Sequence, residues 1–456
     1  MDHAILGLVS GKTFTDQAFH NRNNRRRIFH DFPVGQFPLT GLLSLMDSEE
    51  TDSFDFGWWE KRFETPQTTI ASGAAPFQTA VGGALADATF VAGTEFIVLV
   101  ADSSMFQVRQ QVWFPSLSIY GAATTYAELK GVVTAVATGS IKFQCSESTV
   151  RLVNTDTAMP NGATGCDVIC AGNAVGEGAS TTSGRTLLPV NPHNFTQIFR
   201  NGMSFTRTAM KVPTNFDKTG IYRESAEEAC RNHMVDIEMA FLFGSKRTDN
   251  VVENGETVPR RQTGGVTWYL KQWEAADSIY RGGTGTAAVT DNANDNKRII
   301  LSTAGNIVWS TMNTYLERAF RVTNDKAFEK LFLCGSGVLG AFNAYLEGKA
   351  QLQKQFSVQT VYGMNVVSWE TPFGTIHFKT HPLFSRQAAL RYNGLLLDVQ
   401  NLKHRPLNDS DTTLLTNRQA NDYDGRKDEW MTEAGLELRF PESCMYFQNL
   451  KTFSAT

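Results

Sequence analysis

The stretch IYRESAEEACRNHMVDIEMAFLF, residues 221–243, decides the fold because it carries the longest helical pattern in the chain. Its apolar side chains recur at spacings of three and four, as on one face of an α-helix; they include Ala226, Cys230, Ile237 and Phe241. Glu224 lies in the first turn and Gly244 follows the last periodic residue, as at the two ends of a helix. We therefore predict a helix over 222–244. His233 lies on its apolar face, which predicts a packed residue rather than a ligand.

The segment before this helix has a different character. Residues 71–190 are rich in Gly, Ala, Ser and Thr and poor in charge. Short β-prone runs are separated there by turn residues, which is typical of a small all-β module; the runs are 95–100, 107–114, 130–137, 140–145 and 167–170.

After the long helix, apolar residues again follow a helical spacing over 300–320, where we predict a second helix. We also predict a strand over KLFLC, residues 330–334, and a helix over 337–349. Segments rich in β-prone residues continue to the end of the chain.

The composition favours a globular chain rather than a disordered one. Hydrophobic residues make up 41% of the 456 residues and charged residues 19%. The formal net charge of −4 does not favour a nucleic-acid binder, which normally shows a basic footprint. No stretch approaches the roughly 20 apolar residues of a membrane span. The six cysteines are scattered, which is typical of free thiols in a reducing cytoplasm.

The segment FDFGWWEKR, residues 54–62, combines four aromatic and four ionisable side chains. If it is extended, Trp58 and Trp59 point to opposite sides. One could pack on its own domain while the other meets a neighbouring chain. Trp and Arg are also the residue types that most often contribute binding energy at interfaces.

The run GSGVLG, residues 335–340, matches the glycine pattern of a dinucleotide site and follows a strand-like segment. No acidic residue ends a second strand about 20 residues later, and alternating strand and helix units do not surround it. A tight strand-to-helix turn is the favoured interpretation. His377 and His381 lie four apart in a strand-like segment, where they need not converge.

Several segments, in this order, resemble a family of tailed-phage major capsid proteins. They are PLTGLLSL with the downstream FGWWE, NFTQIFRNGMSFTRT (194–208), the long helix ending in FLFGSKR, TGGVTWYL (263–270), YGMNVVSWETPFGTIHFKTHPLF (362–384), LLLDVQNLKHRPL (395–407) and EWMTEAGLELRFPESCMYFQNL (429–450). The resemblance covers most of the chain outside 71–190.

The resemblance implies an α+β fold of the Hong Kong 97 type, which tailed phages share with herpesviruses. Residues 1–65 would form an N-terminal arm and 66–190 an extended loop with an inserted β-module. Residues 191–296, with a spine helix over 222–244, would start the peripheral domain. Residues 297–394 would form the axial domain, and 395–456 would complete the peripheral domain.

The resemblance also implies a structural, non-enzymatic function without a cofactor, metal or catalytic residue. The chain would assemble into hexamers and pentamers in the host bacterial cytoplasm and form the icosahedral head around double-stranded DNA. Further expected partners are a decoration or cement protein, a portal, a separate scaffolding protein and packaged DNA, contacted without sequence specificity. The alternatives are a tail or decoration component of the virion and a nucleotide-binding enzyme centred on GSGVLG.

We predict contacts between subunits at two places in the N-terminal part. The first is the basic run RNNRRR, residues 22–27, where clamping an acidic patch on a neighbouring subunit is favoured over contact with DNA phosphates. The second is the tryptophan segment. The candidate residues are Arg25, Arg26, Arg27, Trp58, Trp59, Glu60 and Arg62.

Overall fold

The computed structural model divides the chain into two compact units. The first unit comprises residues 1–60 and 190–456, and the second comprises 61–189. The structure describes residues 39, 41, 48–61, 67–71, 77–79, 87–88, 90–119, 122–148, 152–153, 167–181, 184, 186, 188–212, 221–275, 297–302, 304–321, 329–347, 356–361 and 364–454. The predicted division into arm, extended loop, peripheral domain and axial domain stays a prediction.

Strands and helices both contribute to the described residues, which confirms the predicted α+β class. The strands are β1 (Asp55–Gly57), β2 (Gln67–Thr69), β3 (Phe77–Thr79), β4 (Asp87–Ala88), β5 (Glu95–Leu99), β6 (Gln110–Ile119), β7 (Ala122–Ala137), β8 (Ser140–Cys145), β9 (Leu152–Val153), β10 (Asp167–Asn173), β11 (His193–Phe195), β12 (Gln197–Thr206), β13 (Arg247–Glu253), β14 (Glu256–Gln262), β15 (Ile299–Leu301), β16 (Asn306–Val308), β17 (Glu329–Cys334), β18 (Phe356–Val361), β19 (Met364–Thr371), β20 (Gly374–Thr380), β21 (Gly394–Leu397), β22 (Leu402–Pro406), β23 (Thr413–Leu415), β24 (Gly425–Leu438), β25 (Met445–Gln448) and β26 (Thr452–Ser454).

The helices are α1 (Arg207–Lys211), α2 (Ile221–Phe243), α3 (Val266–Glu274), α4 (Trp309–Arg321), α5 (Ser336–Glu347) and α6 (Pro382–Arg386), with short 3-10 turns at Val399–Asn401 and Pro441–Ser443. Within the described parts of the chain, no helix is both long and apolar enough to cross a membrane.

The second unit is built on an antiparallel sheet. Its described strands are ordered β2-β10-β6-β7-β8-β5-β3; in addition, β9 pairs with β6, and β4 pairs with β9. The β-prone runs recognised in the sequence correspond to β5, β6, β7, β8 and β10. One face buries a cluster of phenylalanines, because alternate side chains of a strand share one side of the sheet; the cluster includes Phe77, Phe90, Phe96, Phe114 and Phe143.

The first unit contains two larger sheets. One has the order β12-β24-β22, with β23 paired to β24. The other has the order β15-β25-β21-β17-β20-β19-β18. Described strands also form three two-stranded ribbons, β1–β11, β13–β14 and β16–β26.

Helix α2 packs against strand β12, and the sequence prediction of its position is confirmed to within one residue at each end. Ile237, Phe241 and Leu242 are buried in one hydrophobic cluster of the unit. His233 is fully buried and lies 2.7 Å from the side-chain oxygens of both Asn201 and Thr432. This histidine is therefore a packed residue, as predicted.

The second predicted helix was placed too early. It begins at Trp309 as α4, whereas Ile299–Leu301 and Asn306–Val308 form strands that pair in parallel with β25 and β26. The conformation of 299–308 is thus set by pairing with β25 and β26, near the end of the chain. The local spacing of apolar residues does not reveal this pairing. The predicted strand over 330–334 and the helix after it are confirmed as β17 and α5.

A charged pair lies in the interior of the first unit. The Lys330 Nζ atom is 3.6 Å from Asp398 Oδ2 and donates a hydrogen bond of 2.9 Å to the Ser443 carbonyl. Both side chains are fully buried, and this burial lowers the pKa of Lys330 and raises the pKa of Asp398. Each group is held in the interior by the other, because an unpaired buried charge is costly.

We expect Asp398→Ala to lower the free energy of unfolding by about 3–5 kcal/mol, because it leaves the Lys330 ammonium buried without its partner. Urea unfolding of the unassembled chain, followed by tryptophan fluorescence, measures this change. The double variant Lys330→Met/Asp398→Ala should recover much of the loss, since it removes both charges. A double variant that is no more stable than Asp398→Ala would contradict the explanation.

Candidate assembly surface

The tryptophan segment lies on the β1–β11 ribbon of the first unit. Strand β1 pairs antiparallel with β11, with Phe56 opposite Asn194 and Gly57 opposite His193. The pairing continues beyond both strands, where the backbones of Glu60 and Val190 exchange two hydrogen bonds of 2.9 Å. The ribbon therefore holds the chain up to the point where it leaves the first unit, after Glu60, and where it returns, at Val190.

The inner face of the ribbon is packed into the hydrophobic core. Trp58 is buried, with its ring centroid 6.4 Å from that of Phe56 and 6.0 Å from that of Tyr269. Its Nε1 atom donates a hydrogen bond of 2.8 Å to Glu60 Oε1. The same carboxylate oxygen accepts a bond of 3.1 Å from the Phe440 backbone, so Glu60 has polar partners although it is buried.

Asn194 connects the ribbon to the rest of the unit. Its fully buried Nδ2 atom donates to Thr263 Oγ1, the Gly264 carbonyl and the Leu436 carbonyl at 3.0, 3.1 and 2.7 Å. Its Oδ1 atom accepts from the Gly264 backbone at 2.8 Å. A single amide thus links the ribbon to the loop before α3 and to strand β24.

The outer face of the ribbon is accessible and partly aromatic. We define it by Phe54, Asp55, Trp59, His193 and Phe195. The Trp59 side chain is 71% exposed, and the Phe54 ring lies 3.8 Å from the Arg261 guanidinium carbon. Asp55 Oδ1 lies 2.9 Å from His193 Nδ1.

Lys246 borders this outer face. Its Nζ atom lies 4.8 Å from the centroid of the Phe195 ring and donates a hydrogen bond of 2.8 Å to the His193 carbonyl. Burial lowers the pKa of Lys246 to about 8, and the nearby Asp55 carboxylate opposes this shift. The face therefore combines aromatic rings with a partly desolvated ammonium and a carboxylate, a composition suited to contact with another protein surface.

The structure assigns different environments to the residues predicted from the sequence. Trp58 and Glu60 are interior groups of this chain, whereas the Trp59 side chain is accessible. Arg25, Arg26, Arg27 and Arg62 lie outside the described residues. His193 and Lys246 were not among the candidate residues, because the pairing of 55–57 with 193–195 brings together segments far apart in the chain.

The GSGVLG turn is filled by the chain itself. A Cβ atom at Gly335 would lie 2.2 Å from the Arg391 carbonyl oxygen, and one at Gly337 would lie 2.6 Å from the Tyr392 ring. These glycines permit close packing against residues 391–392 as β17 passes into α5. The two histidines of 377–381 also diverge, since His377 contacts Ser368 and His381 contacts Glu238.

The described residues contain no group of three or more His, Cys, Asp and Glu side chains that could hold a metal ion. Cys145, Cys170, Cys230, Cys334 and Cys444 are free thiols.

Comparison with known proteins gives matches over almost the whole chain. Residues 14–451 match the model of the SU10 major capsid protein family. The chain is 22% identical to the major capsid protein of Pseudomonas phage PaMx41, over 98% of this chain and 97% of that protein.

The similar solved structures include two that share little sequence identity with this chain. The capsid asymmetric unit of cyanophage A-1(L) is 11% identical, with 96% of this chain and 99% of that chain covered and a TM-score of 0.42. The SrpI encapsulin complex of Synechococcus elongatus PCC 7942 is 8% identical, with 58% and 79% covered and a TM-score of 0.37.

We expect truncation of the two tryptophans to have very different effects on stability. Trp58→Ala should lower the free energy of unfolding by about 3–5 kcal/mol, because it leaves a cavity beside Phe56 and Tyr269. Trp59→Ala should change it by less than about 0.5 kcal/mol, because its side chain is exposed. Urea unfolding of the unassembled variants measures both values. Equal destabilisation by the two substitutions would contradict the described packing.

Proposed function

Because the chain belongs to the SU10 major capsid protein family, we propose that it assembles into hexamers and pentamers that form the icosahedral head of a tailed phage. The chain is a phage major capsid protein and a component of the virion. The observation that carries this conclusion is the family match over residues 14–451, which includes both compact units.

The proposed architecture is the Hong Kong 97 type. Family membership and the resemblance of the sequence motifs both support it. In this proposal, residues 1–65 form the arm and 66–190 form the extended loop with its β-module. Residues 191–296 and 395–456 form the peripheral domain around the spine helix, and 297–394 form the axial domain.

The contacts between subunits are proposed to include the outer face of the β1–β11 ribbon. Trp59 is the most exposed aromatic side chain there, and aromatic residues are enriched at protein interfaces. The ribbon is held firmly by Asn194 and Glu60, so little conformational entropy is lost when a neighbour packs against it. Repeated heterologous contacts of this kind close into rings and shells.

The other partners follow from the same proposal. Assembly takes place in the cytoplasm of the host bacterium, with a portal, a separate scaffolding protein and a decoration or cement protein as candidate partners. The head encloses double-stranded DNA, which meets the inner surface without sequence specificity. The basic residues Arg25, Arg26 and Arg27 are proposed to clamp a neighbouring subunit, because an overall net charge of −4 does not favour a surface that binds the genome.

We propose a structural role without catalysis. The glycine turn at 335–340, which was the best enzyme-like motif in the sequence, is packed against residues 391–392.

Negative-stain electron microscopy of the expressed chain tests the function. We expect hexamers, pentamers or closed shells, and size-exclusion chromatography should show the corresponding large species. A chain that remains monomeric under all assembly conditions would overturn the proposal, and tubes instead of shells would indicate a tail component.

The ribbon contact has its own test. We expect Trp59→Ala to reduce the yield of assembled particles while the unassembled chain keeps the stability of the wild type, because only the exposed ring is lost. Trp59→Phe, which retains an aromatic ring, should assemble better than Trp59→Ala. Unchanged particle yield and particle stability in Trp59→Ala would exclude this residue from the contact.

A further inference from the structure

A groove opens on the outer face of strand β12, beside the β13–β14 hairpin. Its volume is about 480 Å³, within the range typical of ligand pockets. Ile198 and Arg200 line it from alternate positions of β12, and the directly paired Val251 and Val258 line it from the hairpin. We call it the β12 groove and define it by these four residues and Arg260.

The apolar part of the β12 groove is open in its own chain. Ile198 is 53% exposed, whereas Phe199, its neighbour on the other face of the strand, is buried. Val251 and Val258 are half-buried. A concave surface with partly exposed apolar side chains suits an apolar or aromatic side chain of a partner.

Guanidinium groups border these apolar side chains. Arg260 is held in place by two hydrogen bonds of 3.1 and 2.6 Å to the Asp249 carboxylate, and Arg200 lines the opposite side. Arg261, which also lines the groove, lies 3.8 Å from the centroid of the Phe54 ring. A guanidinium attracts the face of an aromatic ring, and tryptophan is attracted most strongly. The arginines of the groove therefore favour an aromatic occupant.

Carboxylates in the lining balance these cations. Glu433 lies directly opposite Ile198 and accepts a hydrogen bond of 3.0 Å from Thr196 Oγ1. Glu253 also lines the groove, and Asp249 is paired with one of the arginines. Three carboxylates thus accompany three guanidiniums. This balance favours an uncharged occupant over an acidic segment.

Trp59 is the most exposed aromatic side chain among the described residues, at 71%. The groove of its own chain is out of reach. Phe54 meets that groove through Arg261, and Trp59 lies five residues further along the extended ribbon, about 16 Å away. The Trp59 ring can therefore enter a β12 groove only on a second copy of the chain.

We propose that Trp59 of one subunit inserts into the β12 groove of a second copy of this chain. The inference rests on the proposed assembly function and names the surface that receives the exposed ring. The indole packs on Ile198 and the two valines, and the guanidiniums of Arg200 and Arg260 lie against the ring. The contact buries two apolar surfaces that each chain leaves open.

Photo-cross-linking locates the partner of Trp59 directly in the full-length chain. Position 59 carries p-benzoylphenylalanine, which keeps an aromatic side chain there, and the variant is co-assembled with an excess of isotope-labelled wild-type chain. After irradiation of the particles, mass spectrometry should find links from position 59 to residues within 196–200 or 251–261. The linked peptide should carry the label, which shows that it belongs to a second chain.

Substitution of the groove tests its contribution to assembly. Ile198→Lys should lower the yield of particles by about tenfold or more, because it replaces the apolar surface under the ring by a charge. The double variant Trp59→Ala/Ile198→Lys should assemble no worse than the more affected single variant, since both substitutions remove the same contact.

Leu301→Lys is the matched control, because Leu301 is also an aliphatic strand residue with 53% exposure but lies outside the groove. Its effect on particle yield should add to that of Trp59→Ala. The substituted side chains are exposed, so thermal unfolding of the unassembled variants should match that of the wild type.

The outcomes separate the inference from the proposed function. If the wild-type chain forms no multimer, the proposed function fails and the inference fails with it. If the wild type assembles but position 59 links to another segment, or to no second chain, the inference alone is overturned. Undiminished particle yield in Ile198→Lys, or additive effects of Ile198→Lys and Trp59→Ala, also overturns it.

Discussion

The position of the β1–β11 ribbon depends on one buried amide. Asn194 donates hydrogen bonds to Thr263, Gly264 and Leu436, which belong to two other segments of the first unit. A buried amide without hydrogen-bond partners is costly, so these segments pack together stably only in an arrangement that satisfies the amide. The direction of β11, and through it the direction of β1, is fixed by this condition. Since Trp58 and Trp59 belong to the segment that continues β1, their environments follow from it.

A buried carboxylate completes this arrangement. Glu60 accepts hydrogen bonds from Trp58 Nε1 and from the Phe440 backbone. Phe440 itself has a positive φ of 46°, a conformation that is unfavourable for a bulky residue. The hydrogen bond from the Phe440 N–H to Glu60 helps to offset the conformational cost of this backbone geometry. The polar groups on the inner face of the β1–β11 ribbon form hydrogen bonds within the chain, and the accessible aromatic surface is on the outer face.

Local patterns in the sequence were sufficient for some of these features. The spacing of apolar residues placed the long helix to within one residue, and the alternation of an extended strand predicted that the two tryptophans point apart. Which tryptophan is buried could not be predicted, because Tyr269 and Phe440 lie more than 200 residues further along the chain. The pairing of Lys330 with Asp398 and the strands within 299–308 were missed for the same reason, since their partners are distant in sequence.

The proposed contact at the β1–β11 ribbon has a rigid support and a small contact surface. The ribbon is held by the hydrogen bonds of Asn194 and Glu60. A preorganised surface loses little entropy on binding, so even a few apolar and charged side chains can give a specific contact. In a closed shell each subunit makes many such contacts, and linked contacts reinforce one another without any single one being strong. Weak individual contacts also allow a misplaced subunit to dissociate before the shell closes around it. Burying Trp59 within its own chain would stabilise the isolated subunit, but it would remove a surface that this proposed reversible assembly uses.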